Sequence, residues 1–346
     1  MDSFVDGHGY LAACTAGLPT HGTLAAMRAD LDEWGRAESC PVRYGDLVEE
    51  GRALFASIVG VPSARVATGS QTSAMTAVVA AALPDGAEVV VADGDFSSIV
   101  FPFLAQAHRG VRVRSVPLDM LARSLTPDTA LVAWSAVQSA TGTVVDSGAV
   151  VAAARAVGTR TLCDLTQAAG ILPMSVAGID VADVDVSVTH AYKWLCAPRG
   201  VAFATVSEAA QDWLRPVQAG WYAGADVWSS CYGPEMRLAD DARRFDVSPA
   251  WQAWPGAVAA LRHVASLDVA SAWRHATGLA DRLAERLGTA RQTQAVTTLP
   301  DPTGSRLAAL TAAGITASGR AGRLRLAFHH WNDESDVDAV AAVLGR

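Results

Sequence analysis

Between about residues 63 and 207, short apolar runs rich in β-branched residues alternate with Ala-rich segments, and this alternation constrains the fold more than any other feature of the chain. The seven runs are 64–68, 88–92, 111–116, 130–136, 159–163, 183–188 and 201–206. Strands that are apolar along their whole length are buried on both faces, and Ala-rich segments such as 73–83 and 149–157 are typical of the helices that cover them. The pattern predicts an α/β fold with a parallel-rich sheet between two layers of helices.

The rest of the chain has a different pattern. Residues 208–254 are irregular and rich in Trp and Tyr, and beyond them the chain alternates helical and apolar segments. The predicted elements are helices at 256–266 and 270–287, apolar segments at 293–299 and 307–313, a strand at 323–328 and a last helix from about 334. We therefore predict a large domain (29–254), a small α+β C-terminal domain (255–346) and an N-terminal segment (1–28) that packs with the small domain.

Composition limits the classes of function. The chain is 51% apolar and 18% charged, with a net charge of −8, which suits a compact enzyme and disfavours nucleic acid or anionic membrane as the partner. No apolar run approaches the roughly 18 residues of a membrane span, and the first six residues lack the features of a signal peptide, so we expect a cytoplasmic protein. The five cysteines are odd in number and form no CxxC pair, so we expect neither a disulfide framework nor a metal site.

Polar residues follow three of the predicted strands, where ligands bind in α/β sheets. After the first strand comes Gly69-Ser70-Gln71-Thr72-Ser73, which opens a predicted helix. Backbone N–H groups and the positive end of the helix dipole at this point suit a phosphate, although an ordinary helix cap has the same composition.

Asp164 and Gln167 follow the strand at 159–163. A carboxylate at a strand end serves as a metal ligand, a base or a helix cap. In an enzyme that uses pyridoxal 5′-phosphate (PLP), it would instead pair with the protonated pyridine nitrogen of the cofactor.

Lys193 follows the strand at 183–188 and is the sole lysine among 27 lysines and arginines. A genome that replaces lysine by arginine explains the scarcity but not the location. Only a lysine forms a Schiff base with a carbonyl cofactor, so the position favours a chemical role.

The order of these motifs, Gly-Ser-Gln-Thr, Asp-x-x-Gln and Tyr-Lys-Trp-Leu, resembles the class V aminotransferase family of fold-type I PLP enzymes, which includes kynureninases, cysteine desulfurases and several C–S lyases. The resemblance covers roughly residues 10–340. It implies PLP as the cofactor and a homodimer with active sites at the subunit interface. It also implies a mostly parallel seven-stranded sheet in the large domain. By position, Lys193 would carry PLP as a Schiff base, Asp164 would pair with the pyridinium nitrogen and Gln167 would contact the phenolic oxygen.

The resemblance also implies a phosphate site. Ser70, Gln71 and Thr72 correspond to the phosphate loop of the family. Tyr192 precedes the lysine, as in kynureninases, and is similar to a phosphate ligand. His190 stands where the family has a hydroxyl residue, a departure that leaves the phosphate contacts open.

Four more positions match the family. Phe96 resembles the aromatic residue that stacks on the cofactor ring, although a core phenylalanine fits equally. Ser248, in Arg-Phe-Asp-Val-Ser-Pro, falls near the loop that reaches the phosphate of the partner subunit, and Trp221 is expected in the same region. Arg325, seven residues before Asn332, matches the arginine that binds the substrate α-carboxylate with two hydrogen bonds, although a solvent-facing strand arginine is the alternative.

The candidate substrate pocket is polar and lined with aromatic residues. Its predicted members are Gln138, Ser139, His190, Trp221 and Tyr222.

Several reactions remain compatible with these residues. Persulfide chemistry of the desulfurase type uses a cysteine shortly before the Arg325 position, and no cysteine follows Cys231, which disfavours that route. β-Elimination from a cysteine S-conjugate needs only Lys193 as base and a leaving group on Cβ, and it is our preferred prediction. The Arg-Phe-Asp-Val-Ser-Pro segment resembles C–S lyases and supports it. Transamination to a keto acid is the alternative, and a non-catalytic binding protein is a third hypothesis.

Overall fold

A computed structural model describes residues 3–345, so the predictions that involve the first two residues and Arg346 lie outside the described part. The strands are β1 (Val66–Gly69), β2 (Glu88–Ala92), β3 (Arg112–Val116), β4 (Thr129–Ser135), β5 (Arg160–Asp164), β6 (Val186–His190), β7 (Ala202–Val206), β8 (Val296–Pro300), β9 (Ser318–Arg320) and β10 (Arg323–Ala327). The α-helices are α1 (His21–Gly35), α2 (Pro41–Val59), α3 (Thr72–Ala82), α4 (Ser97–Leu104), α5 (Ser147–Val157), α6 (Glu208–Trp213), α7 (Trp254–Ala265), α8 (Val269–Arg286), α9 (Ser305–Ala312) and α10 (Glu334–Leu344).

The first seven strands form one sheet in the order β1-β7-β6-β5-β4-β2-β3. Pairing is parallel from β6 through β5, β4 and β2 to β3, whereas β7 runs antiparallel to both of its neighbours. The predicted parallel-rich seven-stranded sheet is therefore confirmed. Because the parallel strands share a direction, their carboxyl ends meet at one edge of the sheet.

Alternate residues of each central strand belong to two separate cores. In β4, Val132 and Trp134 pack into one apolar cluster, and Leu131 and Ala133 pack into the other. Both faces of the sheet are therefore buried, as the apolar runs predict.

The C-terminal part contains an antiparallel sheet in the order β8-β10-β9, with α10 packed against α8 and α9. The N-terminal segment joins this part of the molecule, because Leu11 N–H donates to Thr316 O and Ala327 N–H donates to Leu11 O. These contacts agree with an N-terminal segment that packs on the small domain. The domain boundaries themselves stay a prediction.

Most predicted elements differ from the observed ones by one to three residues. The run at 183–188 begins in a 3₁₀ turn and becomes a strand only at Val186. The segment at 307–313 lies in α9. The sequence analysis missed β9, which is only three residues long, and α4, whose interior contains Pro102. It also predicted no helix at the positions of α1, α2 and α6.

No helix within residues 3–345 combines the length and the apolar character that crossing a membrane requires.

Candidate active site

The carboxyl ends of the parallel strands carry most of the predicted functional residues. Asp164 is the last residue of β5, and Lys193 lies in the turn that follows β6. Phe96 comes after β2, where it precedes α4. The shared direction of the strands brings these side chains to one edge of the sheet.

Lys193 is buried, with 5% of its surface exposed. Its Nζ lies 5.4 Å from the centroid of the Phe96 ring and 5.8 Å from that of the Tyr192 ring. Burial lowers the pKa of Lys193 to about 8, and the positive charge of Arg325 adds to the shift, while the negative charge of Asp164 opposes it. The neutral form of the Lys193 amine is therefore more populated near neutral pH than that of an ordinary lysine, and the neutral amine is the nucleophile.

Asp164 is almost fully buried, and its Oδ1 accepts a hydrogen bond from the backbone N–H of Thr166 at 2.8 Å. Burial raises the pKa of this carboxyl group, whereas the hydrogen bonds from Thr166 and the charge of Lys193 lower it. A buried carboxylate that depends on a nearby cation suits the pairing with a protonated ring nitrogen.

Gln167 connects three parts of the site. Its Oε1 accepts a hydrogen bond from Trp194 Nε1 at 2.8 Å, and its Nε2 donates to Cys14 O at 2.9 Å. The contact of Nε2 with Ser139 Oγ is longer, at 3.4 Å, and is the one that a ligand can replace most easily.

Asp95 is a half-buried acid that the sequence analysis missed. Its carboxylate accepts hydrogen bonds from the backbone N–H groups of Phe96 at 2.7 Å and Ser135 at 3.0 Å, and from the Ser135 hydroxyl at 2.6 Å. Burial raises its pKa, and these donors oppose the rise. Asp95 thereby holds the backbone that positions the Phe96 ring beside Lys193.

The residues predicted to bind the cofactor phosphate lie at the carboxyl ends of β1 and β6. Gln71 is the N-cap residue of α3, and its side chain makes no capping hydrogen bond. The first backbone N–H groups of this helix therefore stay available to donate to a ligand. Thr72 Oγ1 lies 3.5 Å from Thr166 Oγ1, which in turn accepts the backbone N–H of His190 at 3.0 Å. Ser70 lies in the same loop. A helix N-terminus with unused donors fits an anion.

Thr189 and His190 add unpaired polar groups to this end, beside Tyr192. The His190 Nε2 atom is buried without a hydrogen-bond partner, as is the Thr189 hydroxyl. Burial, with the charges of Arg199 and Lys193, lowers the pKa of His190 to about 4, so the imidazole is neutral at pH 7. The Arg199 guanidinium lies 4.8 Å from the centroid of the Tyr192 ring. Buried polar groups normally have partners, so these unpaired groups fit a phosphate-bearing cofactor.

Arg325 is a buried cation without a carboxylate partner. It is 2% exposed, and its hydrogen bonds run to the Ser318 hydroxyl at 3.2 Å, the Thr15 hydroxyl at 3.1 Å, and the main chain and hydroxyl of Ser139. Within residues 3–345, no Asp or Glu oxygen lies within 4 Å of its guanidinium. Burial lowers its pKa. Because a buried charge is unfavourable without a counter-ion, Arg325 suits an anionic ligand.

The structure does not bring every candidate to this site. Trp221 lies against Tyr222 and Trp228, among residues 219–238, with no direct contact to Lys193. Ser248 is exposed beside the end of β1. Their predicted roles therefore require a second subunit and stay predictions.

Gln138 and Tyr222 are buried candidates of the substrate pocket. The Gln138 Nε2 and the Tyr222 hydroxyl both lack a hydrogen-bond partner in the described part of the chain. Neither is hydrogen-bonded to Lys193, so their assignment to the pocket also stays a prediction.

The N-terminal turn supplies residues that the sequence analysis missed. Thr15 binds Arg325, and the Cys14 Sγ lies 3.8 Å from the same Ser318 hydroxyl that Arg325 contacts. The sequence argument against persulfide chemistry considered only cysteines late in the chain. That argument does not extend to Cys14, whose buried thiol the turn brings beside the Arg325 site, and the choice of reaction stays a prediction. No local pattern in the sequence indicates this contact, which joins residues about 300 positions apart.

A possible cation site lies elsewhere, where His8, Asp333 and Asp336 come together. The buried Asp336 already accepts hydrogen bonds from Gly9 N–H and from Asn332 Nδ2. The group therefore acts as a structural cap at the start of α10, and the absence of a metal site stays a prediction.

Comparisons with known proteins agree with this arrangement. The family model for class-V aminotransferases matches residues 37–324. The kynureninase of Deinococcus radiodurans is 32% identical over 222 residues, which are 62% of this chain and 52% of that protein. The isopenicillin N epimerase of Streptomyces clavuligerus is 27% identical over 51% of this chain and 47% of its own. The chain thus matches only about half the length of these curated relatives.

Solved structures show the same fold over nearly the whole chain. A complex of the cystine C–S lyase C-DES with cysteine persulfide has a TM-score of 0.85 at 19% identity, covering 98% of this chain and 97% of that one. The cysteine desulfurase CsdA of Escherichia coli has a TM-score of 0.83 at 19% identity, covering 99% and 96%. At this identity the likeness concerns the fold, whereas the family match spans most of the sequence. The chain belongs to the class-V aminotransferase family, a family of PLP-dependent enzymes with the type I fold.

Proposed function

We propose that this chain binds PLP through Lys193 and catalyses β-elimination from an amino acid, with a cysteine S-conjugate as the substrate class. The observation that carries the proposal is the combination of two buried features. Lys193 has a lowered pKa beside Asp164, and Arg325 is a buried cation without a carboxylate partner among residues 3–345. Together they offer one site for a carbonyl cofactor and one for a substrate carboxylate.

Each residue has a distinct task in this proposal. PLP, when bound, supplies an electron sink for the negative charge that develops on the substrate Cα. Asp164 keeps the ring nitrogen protonated, and the groups around His190 and the start of α3 hold the phosphate. Arg325 orients the substrate by its α-carboxylate.

Lys193 Nζ is the group that moves the proton. When it is not bound to the cofactor, the Lys193 amine would take the proton from the substrate Cα. Burial favours the neutral amine, which is the form that accepts a proton. Because Lys193 would serve both to hold the cofactor and to act as the base, elimination would need no second substrate.

The names of the relatives and structural neighbours support chemistry on an amino acid. They include a kynureninase, a cysteine desulfurase, isopenicillin N epimerases and a cystine C–S lyase. The reactions that these names describe act on different bonds of the amino acid. We place β-elimination first because it requires only the base and the carboxylate site described above.

We also propose a cytoplasmic homodimer. Ser248 is exposed beside β1, where a second subunit can use it, and the five cysteines are unpaired, which is typical of a reducing compartment. Sedimentation at assay concentration should show a dimer, and a fully active monomer would contradict this part of the proposal.

The decisive experiment follows the visible spectrum of the PLP-loaded protein with a panel of cysteine S-conjugates. β-Elimination should release pyruvate and ammonia while the visible band recovers without added keto acid. Conversion to the pyridoxamine form, with recovery only after a keto acid is added, would instead assign transamination. Borohydride reduction followed by mass mapping should place the cofactor on Lys193, and an adduct elsewhere would refute the site.

A further inference from the structure

Cationic side chains surround the Lys193 site, although the chain as a whole has a net charge of −8. Burial raises the pKa of Tyr192, the neighbour of Lys193, and the positive charges of Arg199, Arg320 and Arg325 all oppose that rise. None of these three arginines has an Asp or Glu oxygen within 4 Å in the part of the chain that the structure describes. A local excess of positive charge in an acidic protein points to anionic ligands.

Arg320 faces the same side of the small sheet as the carboxylate site. It follows Ser318 by two residues on β9, and side chains two residues apart on a strand share a face. Ser318 pairs with Arg325 across the two strands, and its hydroxyl accepts the Arg325 Nε–H bond. Gly319, between them, faces the opposite side, where Leu307 of α9 packs against it.

The β9–β10 turn fixes the position of Arg320. Arg320 pairs with Arg323, so only Ala321 and Gly322 form the turn, and both have a positive φ, at 49° and 71°. Two central residues with positive φ are typical of the tight type I′ turn. The Arg320 side chain is exposed and donates only to its neighbour Gly319 O.

The proposed function accounts for the other cations. Lys193 is used covalently, Arg325 binds the α-carboxylate, and Arg199 lies on Tyr192 at the phosphate end. Arg320 has no task in the proposed function. It nevertheless lies close enough for its positive charge to contribute to the lowered pKa of both Lys193 and Arg325.

We infer that Arg320 determines specificity by binding a second anionic group, a carboxylate or sulfonate on the side chain of the substrate. Arg320 lies two positions after Ser318 on the strand, which is roughly 7 Å along the backbone, so the second anion lies at the far end of an extended side chain. This inference rests on the proposed function and narrows its substrate class to cysteine S-conjugates with an anionic tail.

The test compares two ligands of nearly the same shape, S-carboxymethyl-L-cysteine and its neutral amide, S-carbamoylmethyl-L-cysteine. Equilibrium binding of each is measured by titration calorimetry on the protein whose PLP has been fixed by borohydride and which therefore cannot turn the ligand over, and pyruvate release is measured with the unreduced PLP-loaded protein. The unaltered protein should bind the anionic ligand more tightly, and Arg320→Gln should reduce that preference by about three- to tenfold, a moderate effect because Arg320 is exposed. The preference should also fall as salt is raised.

Arg306→Gln is the matched control. Arg306 is an exposed arginine of the same domain, but it lies on α9, on the opposite face of β9. It should leave the preference unchanged. A preference that survives Arg320→Gln, or no preference in the unaltered protein, overturns the inference. So does a weakened binding of PLP in the variant, because Arg320 would then serve the cofactor phosphate. Binding with the expected preference but without pyruvate release would refute only the β-elimination.

Discussion

Replacing Gly17 by alanine tests how the N-terminal turn supports the lysine site. Gly17 N–H donates to Tyr192 O at 2.9 Å, so the turn lies directly against the Lys193 segment. A Cβ on residue 17 would lie 2.1 Å from Lys193 O and 3.0 Å from Cys196 Cα. Gly17 is not among the glycines with positive φ, so alanine adds only a steric conflict.

The size of the effect follows from these distances. An ordinary contact begins at 3.4 Å, so the Lys193 backbone must move away by about 1.3 Å. Overpacking of this kind costs about 1–3 kcal/mol of stability. Since a displacement of about 1 Å at reacting groups can reduce a rate about 100-fold, we expect a larger loss of function than of stability.

The assay combines urea unfolding with the visible absorbance and turnover of the PLP-loaded protein. Gly45→Ala is the control, because Gly45 lies within α2, where a Cβ would meet nothing within 4 Å apart from the backbone of its own helix. That variant should gain about 0.5–1 kcal/mol, as expected for alanine in a helix. A Gly17→Ala protein with an unchanged spectrum and turnover would refute the idea that this turn positions Lys193.

Five further predictions concern single groups. Arg325→Gln should lower kcat/KM, because losing the contact with the substrate carboxylate costs about 2–5 kcal/mol of transition-state stabilisation. A fall in kcat/KM of less than tenfold would contradict the role of Arg325 as the carboxylate site. The rate at which the apoprotein captures PLP should rise with pH up to about 8, the lowered pKa of Lys193, and then level off. Asp164→Asn should move that profile to lower pH, because the carboxylate raises the pKa of Lys193; a midpoint near the ordinary lysine value would refute the burial argument. Asp246→Ala should lower the free energy of unfolding by about 3–5 kcal/mol in urea, because it removes the buried carboxylate partner of Arg52 and leaves only the exposed Glu49 to pair with that buried arginine; a loss below 1 kcal/mol would contradict this. Cys14→Ser should keep pyruvate release within a few-fold, since elimination needs no thiol; sulfur trapped on Cys14, and lost activity in the variant, would indicate persulfide chemistry instead.

The strand predictions succeeded where residues are apolar on both faces. Val89 to Val91 of β2 lie in the interior, and the run at 88–92 matches the observed strand. An apolar run of this length is stable only as a strand that is buried on both faces, so its local composition is sufficient to predict the strand. β9 was missed because three residues, one of them Gly319, contain too little pattern to recognise.

The candidate site was predictable where its residues lie at strand ends. Asp164 and Lys193 were found because each follows a recognisable strand, and parallel strands bring their carboxyl ends together. The positions of Trp221 and Ser248 could not be predicted from strand ends, since both residues lie in the irregular region 208–254.

The sequence by itself determined the sheet, the edge that holds the site and the sole lysine that suits the cofactor. Only the tertiary structure decided how that site is closed: Cys14 comes from the N-terminal turn, and Ser318 and Arg320 come from a short strand near the other end of the chain. The physical reason is the range of the forces involved. Periodicity and capping act over a few neighbouring residues. The contact between Cys14 and Ser318 joins residues 304 positions apart and exists only after the N-terminal segment has packed on the small sheet.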